Sequence, residues 1–488
     1  MLFNSISFLL FFIIVTTFYF VLPLRAGRYM LLLASCYFYM VFVPKYIIIL
    51  ALTITVDYFV GVGLEKISVK YKKTLLIVSI ISNIGFLFVF KYFNFFNSNV
   101  SYIAELISWN YPIRSLEIIL PIGLSFHTFQ SLSYIIEVYR NKQKAEHNFG
   151  IFALYVMFYP QLVAGPIERP QNMLHQFHKK YKFDLYRVAD GLKLMLWGMF
   201  KKVVIADRLA IFVNEVYNNP NNYQGLPVLI ATVFFAFQIY CDFSGYSDIA
   251  RGSAKVMGFE LMVNFDKPYL SKSISEFWKR WHISLSSWFK DYVYIPLGGN
   301  RVNKMKVYRN LFITFLLSGL WHGANWTYVI WGGLNGLYLI FSQVTISSRK
   351  TIVEFFKINR LPKAHNIFKV ACTFVLTTFA WIFFRANSFS DAVQIYIYLF
   401  SGWNKGELFS SVSRVLSHTP ELSKVSFLVA FVLISFLMLI ELIQTKVIIN
   451  KKLDEKLSYG SWTIYILGIF AIIILGQFTK LQFIYFQF

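Results

Sequence analysis

About ten apolar runs of membrane-spanning length divide this chain, which leaves little room for any soluble fold. They lie near 5–22, 29–43, 46–63, 74–93, 116–138, 226–243, 325–343, 367–384, 425–445 and 461–480. Shorter or interrupted runs fall at 149–164, 191–206 and 310–321. Backbone polar groups in hydrocarbon must pair within their own segment, so such runs are expected as helices. With 57% apolar and only 15% charged residues, the chain reads as one all-α polytopic membrane domain over 1–488. No internal repeat or low-complexity linker interrupts it.

The net charge of +23 would suggest nucleic acid in a soluble protein. Here the basic residues cluster between apolar runs, so membrane orientation explains them and no nucleic-acid partner is expected. Residues 165–208 carry nine Lys/Arg against four acids, and 266–309 carry nine against three. Both segments are therefore expected on the cytoplasmic side, with the loops at 65–73, 140–144, 349–369 and 446–456. This places both termini outside, provided 149–164 dips into the membrane and returns, as Pro160 and the Gly165-Pro166 break allow. Leu2 to Leu22 lacks a basic leader and reads as a first transmembrane helix. Cys36, Cys241 and Cys372 show no CxxC spacing, and His175 and His178 lack a third ligand, so no metal site is expected.

Two Trp-His pairs carry the chemical signal: Trp281-His282 and Trp321-His322. Histidine is costly in hydrocarbon and titrates near neutral pH, so inside a membrane it marks function. Gly319 and Gly323 flank His322, and such small residues let another molecule or backbone come close. The run 311–321 spans roughly 16 Å as a helix, about half the hydrocarbon core. Starting from a cytoplasmic Arg309, it would put His322 near mid-membrane, with a return helix over 326–343. Ile274, Phe277, Trp278, Trp281, Leu285, Trp288, Phe289 and Tyr292 follow one helix face. Lys279, Arg280 and Lys290 lie on the other, so 274–292 reads as an amphipathic surface helix with His282 on its border. Asp242 and Asp248 are expected to cap a re-entrant helix, pair with a loop cation, or face a cavity. Buried histidines without a GxSxG, P-loop or HExxH motif suggest general-base work on a hydroxyl.

Four further stretches carry a resemblance. Pro160-Gln-Leu-Val-Ala-Gly-Pro-Ile-Glu-Arg169, Phe277-Trp-Lys-Arg-Trp-His-Ile-Ser284, Tyr294-Ile-Pro-Leu-Gly-Gly-Asn300 and Ser318-Gly-Leu-Trp-His-Gly323 resemble the membrane-bound O-acyltransferase family. The resemblance is to its bacterial branch of alginate and peptidoglycan O-acetylation membrane subunits. It implies a ring of about 10–12 tilted helices, with re-entrant and amphipathic helices, around a central tunnel. It also implies that His322 is the essential histidine, and that His282 is a second polar position where some relatives carry asparagine. The implied donor is an acyl thioester, acetyl-CoA or an acyl carrier, with no permanently bound cofactor. The acyl group would leave outward for a polysaccharide, through a periplasmic acetyltransferase of the SGNH type, from the bacterial inner membrane.

The C-terminal tail, 479–488, ends in Leu481-Gln-Phe-Ile-Tyr-Phe-Gln-Phe488. Physically it is an aromatic belt on the outer side. It is also similar to the terminal motif of the small partner in teichoic-acid D-alanylation, which implies Tyr485 as an acyl acceptor needing a base such as His322. On this reading His322, His282 and Tyr485 are catalytic. Trp281 and Trp321 form tunnel walls, Ser318 and Asn325 lie beside His322, and Lys279 and Arg280 belong to the basic mouth. A transporter of lipid-linked sugars or acyl donors, and a scaffold recruiting the true transferase, are the rival readings.

Overall fold

The computed structural model describes residues 1–488 except 119, 164, 404, 405, 407, 448–458, 479–482 and 485–488. The expected loop at 446–456 and Tyr485 therefore fall wholly or mostly outside the described residues. Every regular element among the described residues is helical. Five helices among the described residues are long and apolar enough to cross a membrane: Pro44–Lys66, Val69–Leu106, Leu226–Met257, Pro362–Arg385 and Lys424–Thr445. A sixth span arises if Trp326–Val344 and Ile346–Phe355, bent by 57°, are taken together. Ile6–Val21 and Tyr465–Leu475 are shorter apolar helices. The protein is thus an all-helical, multi-pass membrane protein.

The chain divides into two compact units, each discontinuous in sequence. The first comprises Met1–Met195 with Tyr246–Val263. Here the apolar run at 116–138 does not form one span, because its helix starts only at Leu124. Pro121 has no amide hydrogen to donate, and Gly123 at φ +79° holds a left-handed turn just before the helix. The segment expected to dip forms the helix Phe149–Met157 and the single turn Tyr159–Leu162. Nine residues reach about 14 Å, too short to cross. Buried Asp57 accepts from the Ser79 hydroxyl at 2.6 Å and from the Asn83 amide, tying the helices Ile47–Lys66 and Val69–Leu87 together.

The second unit, Leu196–Gly245 with Asn264–Phe488, holds both Trp-His pairs. Its clearest local feature is a hairpin of Lys304–His322 and Trp326–Val344. Asn303 caps the first helix by accepting from the Lys306 amide, and Asn325 caps the second by accepting from Thr327. The first helix therefore starts seven residues before Leu311 and runs 19 residues, about 28 Å, instead of the half-span expected for 311–321. A Cβ on Gly319 would strike the Tyr328 carbonyl oxygen, and one on Gly332 would strike that of Phe315. Glycine here buys backbone-to-backbone packing of the two helices.

Charge placement also differs from the loop reading at one point. Lys201 and Lys202 lie in a π-helical stretch, Phe200–Ala206, and are buried. Lys202 pairs with Asp207 at 2.8 Å and Asp242 at 2.7 Å. With Arg208, which is buried as well, three of the nine cations counted over 165–208 are thus interior groups and carry no orientation signal.

Candidate active site

His282 sits where the expected amphipathic helix breaks. The helix Ile274–Arg280 ends, His282 takes φ 43° and ψ 55°, and a second short helix runs Ile283–Phe289. The periodic pattern of 274–292 is therefore not one continuous helix. A non-glycine residue in the left-handed region is strained, and the neighbouring chain enforces it. Asp266 donates its amide to the Arg280 carbonyl, and Ile283 donates to that of Asn264, both at 2.9 Å. The apolar face is buried in the protein and does not lie in lipid: Trp278 packs on Phe315 and Trp331, and Trp281 on Trp381. His282 itself is 0% exposed, so it is an interior group and not an interfacial one.

Asn264 fixes the imidazole. Its Oδ1 accepts from the Ser284 amide at 3.2 Å and the Ser284 hydroxyl at 2.9 Å, and meets His282 Nδ1 at 3.2 Å. A backbone amide can only donate, so the Asn264 atom is the oxygen and His282 Nδ1 carries the proton. Nε2 is then the basic nitrogen. Burial pushes the His282 pKa down to about 3, which keeps the ring neutral at pH 7.

His322 is the last residue of the helix Lys304–His322 and is 3% exposed. Its ring centroid lies 6.5 Å from that of His282. Trp331 stands edge-on to it at 5.0 Å, Phe384 at 5.2 Å and Trp321 at 4.9 Å. On the other side Phe243 meets His282 at 4.6 Å, and Trp381 stacks on Trp331 at 5.5 Å. The two histidines thus share one aromatic enclosure. The glycines beside His322 are occupied: Gly319 faces the return helix, and a Cβ on Gly323 would enter the Tyr328 ring. Of the two options open on sequence, a close backbone is the one the fold uses at Gly319.

The other expected site residues divide. Ser318 lies one turn before His322 and lines a cavity of about 450 Å³. Lys279, Lys290, Trp278, Tyr294 and Phe315 also line it, giving an apolar interior with two ammonium groups at its wall. Arg280 is spent on Glu276 at 2.7 Å, and Asn325 on its helix cap. Trp281 and Trp321 are both in the enclosure, Trp281 against Trp381 and Trp321 against His282. Sequence reasoning missed Asn264, Trp331, Trp381, Phe384 and Phe243. The aromatic four lie in apolar runs where nothing separates a site wall from a lipid-facing ring. Asn264, a lone amide beside Phe265, was the one legible signal.

Asp242 and Asp248 sit within the helix Leu226–Met257 and cap nothing. Asp248 pairs with Arg251 at 3.2 Å. Asp242 pairs with buried Lys202, and its Oδ2 accepts the backbone amide of Ile484 at 2.8 Å. Phe483 and Ile484 are buried, and Phe483 packs on Phe243 at 5.8 Å. This part of the tail is therefore interior, and not an exposed aromatic belt. In the first unit, two residues of the Pro160–Arg169 motif bond to distant segments: Glu168 accepts the Met262 amide at 2.5 Å, and Arg169 donates to Ser133 at 3.1 Å.

A family model described as membrane-bound O-acyltransferase matches residues 140–388. A probable alginate O-acetylase of Pseudomonas aeruginosa is 39% identical over 389 residues, 79% of this chain and 72% of the relative. A peptidoglycan O-acetyltransferase of Helicobacter pylori is 36% identical over 393 residues, 75% of this chain and 72% of the relative. A teichoic acid D-alanyltransferase of Streptococcus thermophilus is 30% identical over 245 residues, 47% of this chain and 59% of the relative. Two enclosed histidines, a cavity one helical turn from one of them, and these matches converge: the chain belongs to the membrane-bound O-acyltransferase family and is an acyltransferase.

Proposed function

We propose that this acyltransferase takes acetyl from a thioester donor, acetyl-CoA or an acyl carrier, at the cytoplasmic face of a bacterial inner membrane. It hands the acetyl outward for O-acetylation of a surface or secreted polysaccharide, by way of a periplasmic acetyltransferase of the SGNH type. The observation that carries this reading is the shared enclosure of His322 and His282, with a cavity lined by Ser318 one helical turn from His322. Acetyl is favoured over other acyl groups by the names of the relatives matched over most of this chain. Family membership sets aside the transporter and scaffold readings.

Lys279 and Lys290 would attract the donor's phosphates, and the apolar wall would receive its thioester end. The acceptor is the Tyr485 hydroxyl. His322 removes its proton as the oxygen attacks the thioester carbonyl, the carbon–sulfur bond breaks, and that proton goes to the departing sulfur. The tail then carries an acetyl ester, which a second hydroxyl attacks, restoring the phenol. His282 keeps Nδ1–H on Asn264 and offers Nε2 to orient the reacting oxygen.

Tyr485→Phe tests this, because it removes one oxygen and keeps the ring. Polysaccharide acetylation is expected to stop, and intact-protein mass spectrometry should find an acetyl ester on the wild-type C-terminal peptide alone. Normal acetylation by Tyr485→Phe would remove the tail from the reaction.

A further inference from the structure

We propose that Asp242 is the positioning residue that docks the C-terminal tail beside the histidines. The inference rests on the reading of Tyr485 as acceptor for its catalytic meaning, though the docking stands on its own geometry.

Lys202, Asp207 and Asp242 form a buried group with side chains 1%, 3% and 4% exposed. Two carboxylates share one ammonium, so their acceptor capacity exceeds what Lys202 supplies. Buried carboxylate oxygens demand further donors. The tail provides one: the Ile484 amide, 2.8 Å from Asp242 Oδ2. The residue on either side of this bond links it to the site. Phe483 packs on Phe243, the neighbour of Asp242, and Phe243 packs edge-on to His282. Tyr485 is the next residue after the bonded Ile484. The tail upstream is also held, since Gln477 donates its amide to the Val203 carbonyl at 2.8 Å, one residue from Lys202.

A backbone amide bound by a side chain fixes chain position independently of the tail's side chains. That is the need of a tail whose acceptor hydroxyl must meet a donor carbonyl within about 3–3.5 Å. An aromatic anchor alone leaves sliding along the chain open, whereas one amide on one carboxylate sets the register. Asp242 touches no reacting atom; it acts through Ile484.

The test uses the full-length protein in detergent or membranes. Hydrogen exchange of the C-terminal peptide reads docking, and polysaccharide acetylation reads transfer. Asp242→Ala should speed exchange at Ile484 and lower transfer, each by about ten- to a hundredfold, the range for a hydrogen bond to a charged partner. Should Asp242→Ala fail to insert, Ile484→Pro removes the same donor and leaves Asp242 and Lys202 intact. It should lower transfer similarly, while Ile484→Val, which keeps the amide, should lose far less. Wild-type exchange in Asp242→Ala, or wild-type transfer by Ile484→Pro, would overturn the proposal. Tyr485→Phe separates the two readings: it should leave the tail's exchange protection unchanged whether or not transfer survives.

Discussion

The second unit holds one dipeptide, Trp-His, in two ways. Trp321-His322 ends a regular helix whose position comes from close glycine packing against the return helix. Trp281-His282 lies in a break between two seven-residue helices, in a left-handed turn held by the Asn264 side chain and by two backbone bonds, Asp266 to Arg280 and Ile283 to Asn264. The first arrangement spreads its support over many small contacts. The second rests on a few bonds around Asn264, whose side-chain oxygen alone serves three donors. Local changes should therefore damage the two histidines unequally.

The largest effect is expected from the histidines themselves. His322→Ala should lower transfer by about 10²–10⁴-fold, the usual contribution of a general base, with protein level and unfolding temperature unchanged. His282→Ala should also impair transfer, but His282→Asn should retain more of it. Asparagine enters the left-handed region more readily than most residues, and its amide can still hydrogen-bond. Equal activity of the Ala and Asn variants would show that the turn geometry at His282 does not matter.

Next comes the oxygen that holds that turn. Asn264→Ala removes the side-chain acceptor of the Ser284 amide and of the His282 ring, and a buried donor left unsatisfied costs about 1–3 kcal/mol. Thermal unfolding should fall, and transfer should fall to the level of His282→Ala. Wild-type transfer by Asn264→Ala would break the claim that one side chain orients His282.

The smallest effect belongs to the distributed side. Gly319→Ala forces the hairpin apart and should cost about 1–3 kcal/mol, partly offset by alanine's better helix propensity. Transfer should drop only as far as His322 moves. An unchanged unfolding temperature would mean that the hairpin yields to a methyl group, which its backbone contact at Tyr328 argues against.

The sequence by itself determined the helical, membrane-spanning class, the two Trp-His pairs and the family, because lipid imposes internal backbone pairing and long apolar runs record it. Helix ends with a capping side chain, such as Asn303 and Asn325, obey equally local rules. The break at His282 was illegible, since the helical period of 274–292 runs through it unbroken and the bonds that hold it come from Asn264 and Asp266, on a separate segment. Lys202 read as a loop cation, and Asp242 stayed open between a cap, a cation pair and a cavity, for the same reason: charge is visible in sequence, while burial and partner are not. Only the tertiary structure brought Trp331, Trp381 and Phe384 around His322, and the amide of Ile484 onto Asp242 across 242 residues. Packing between distant segments decided these, and periodicity carries no record of it.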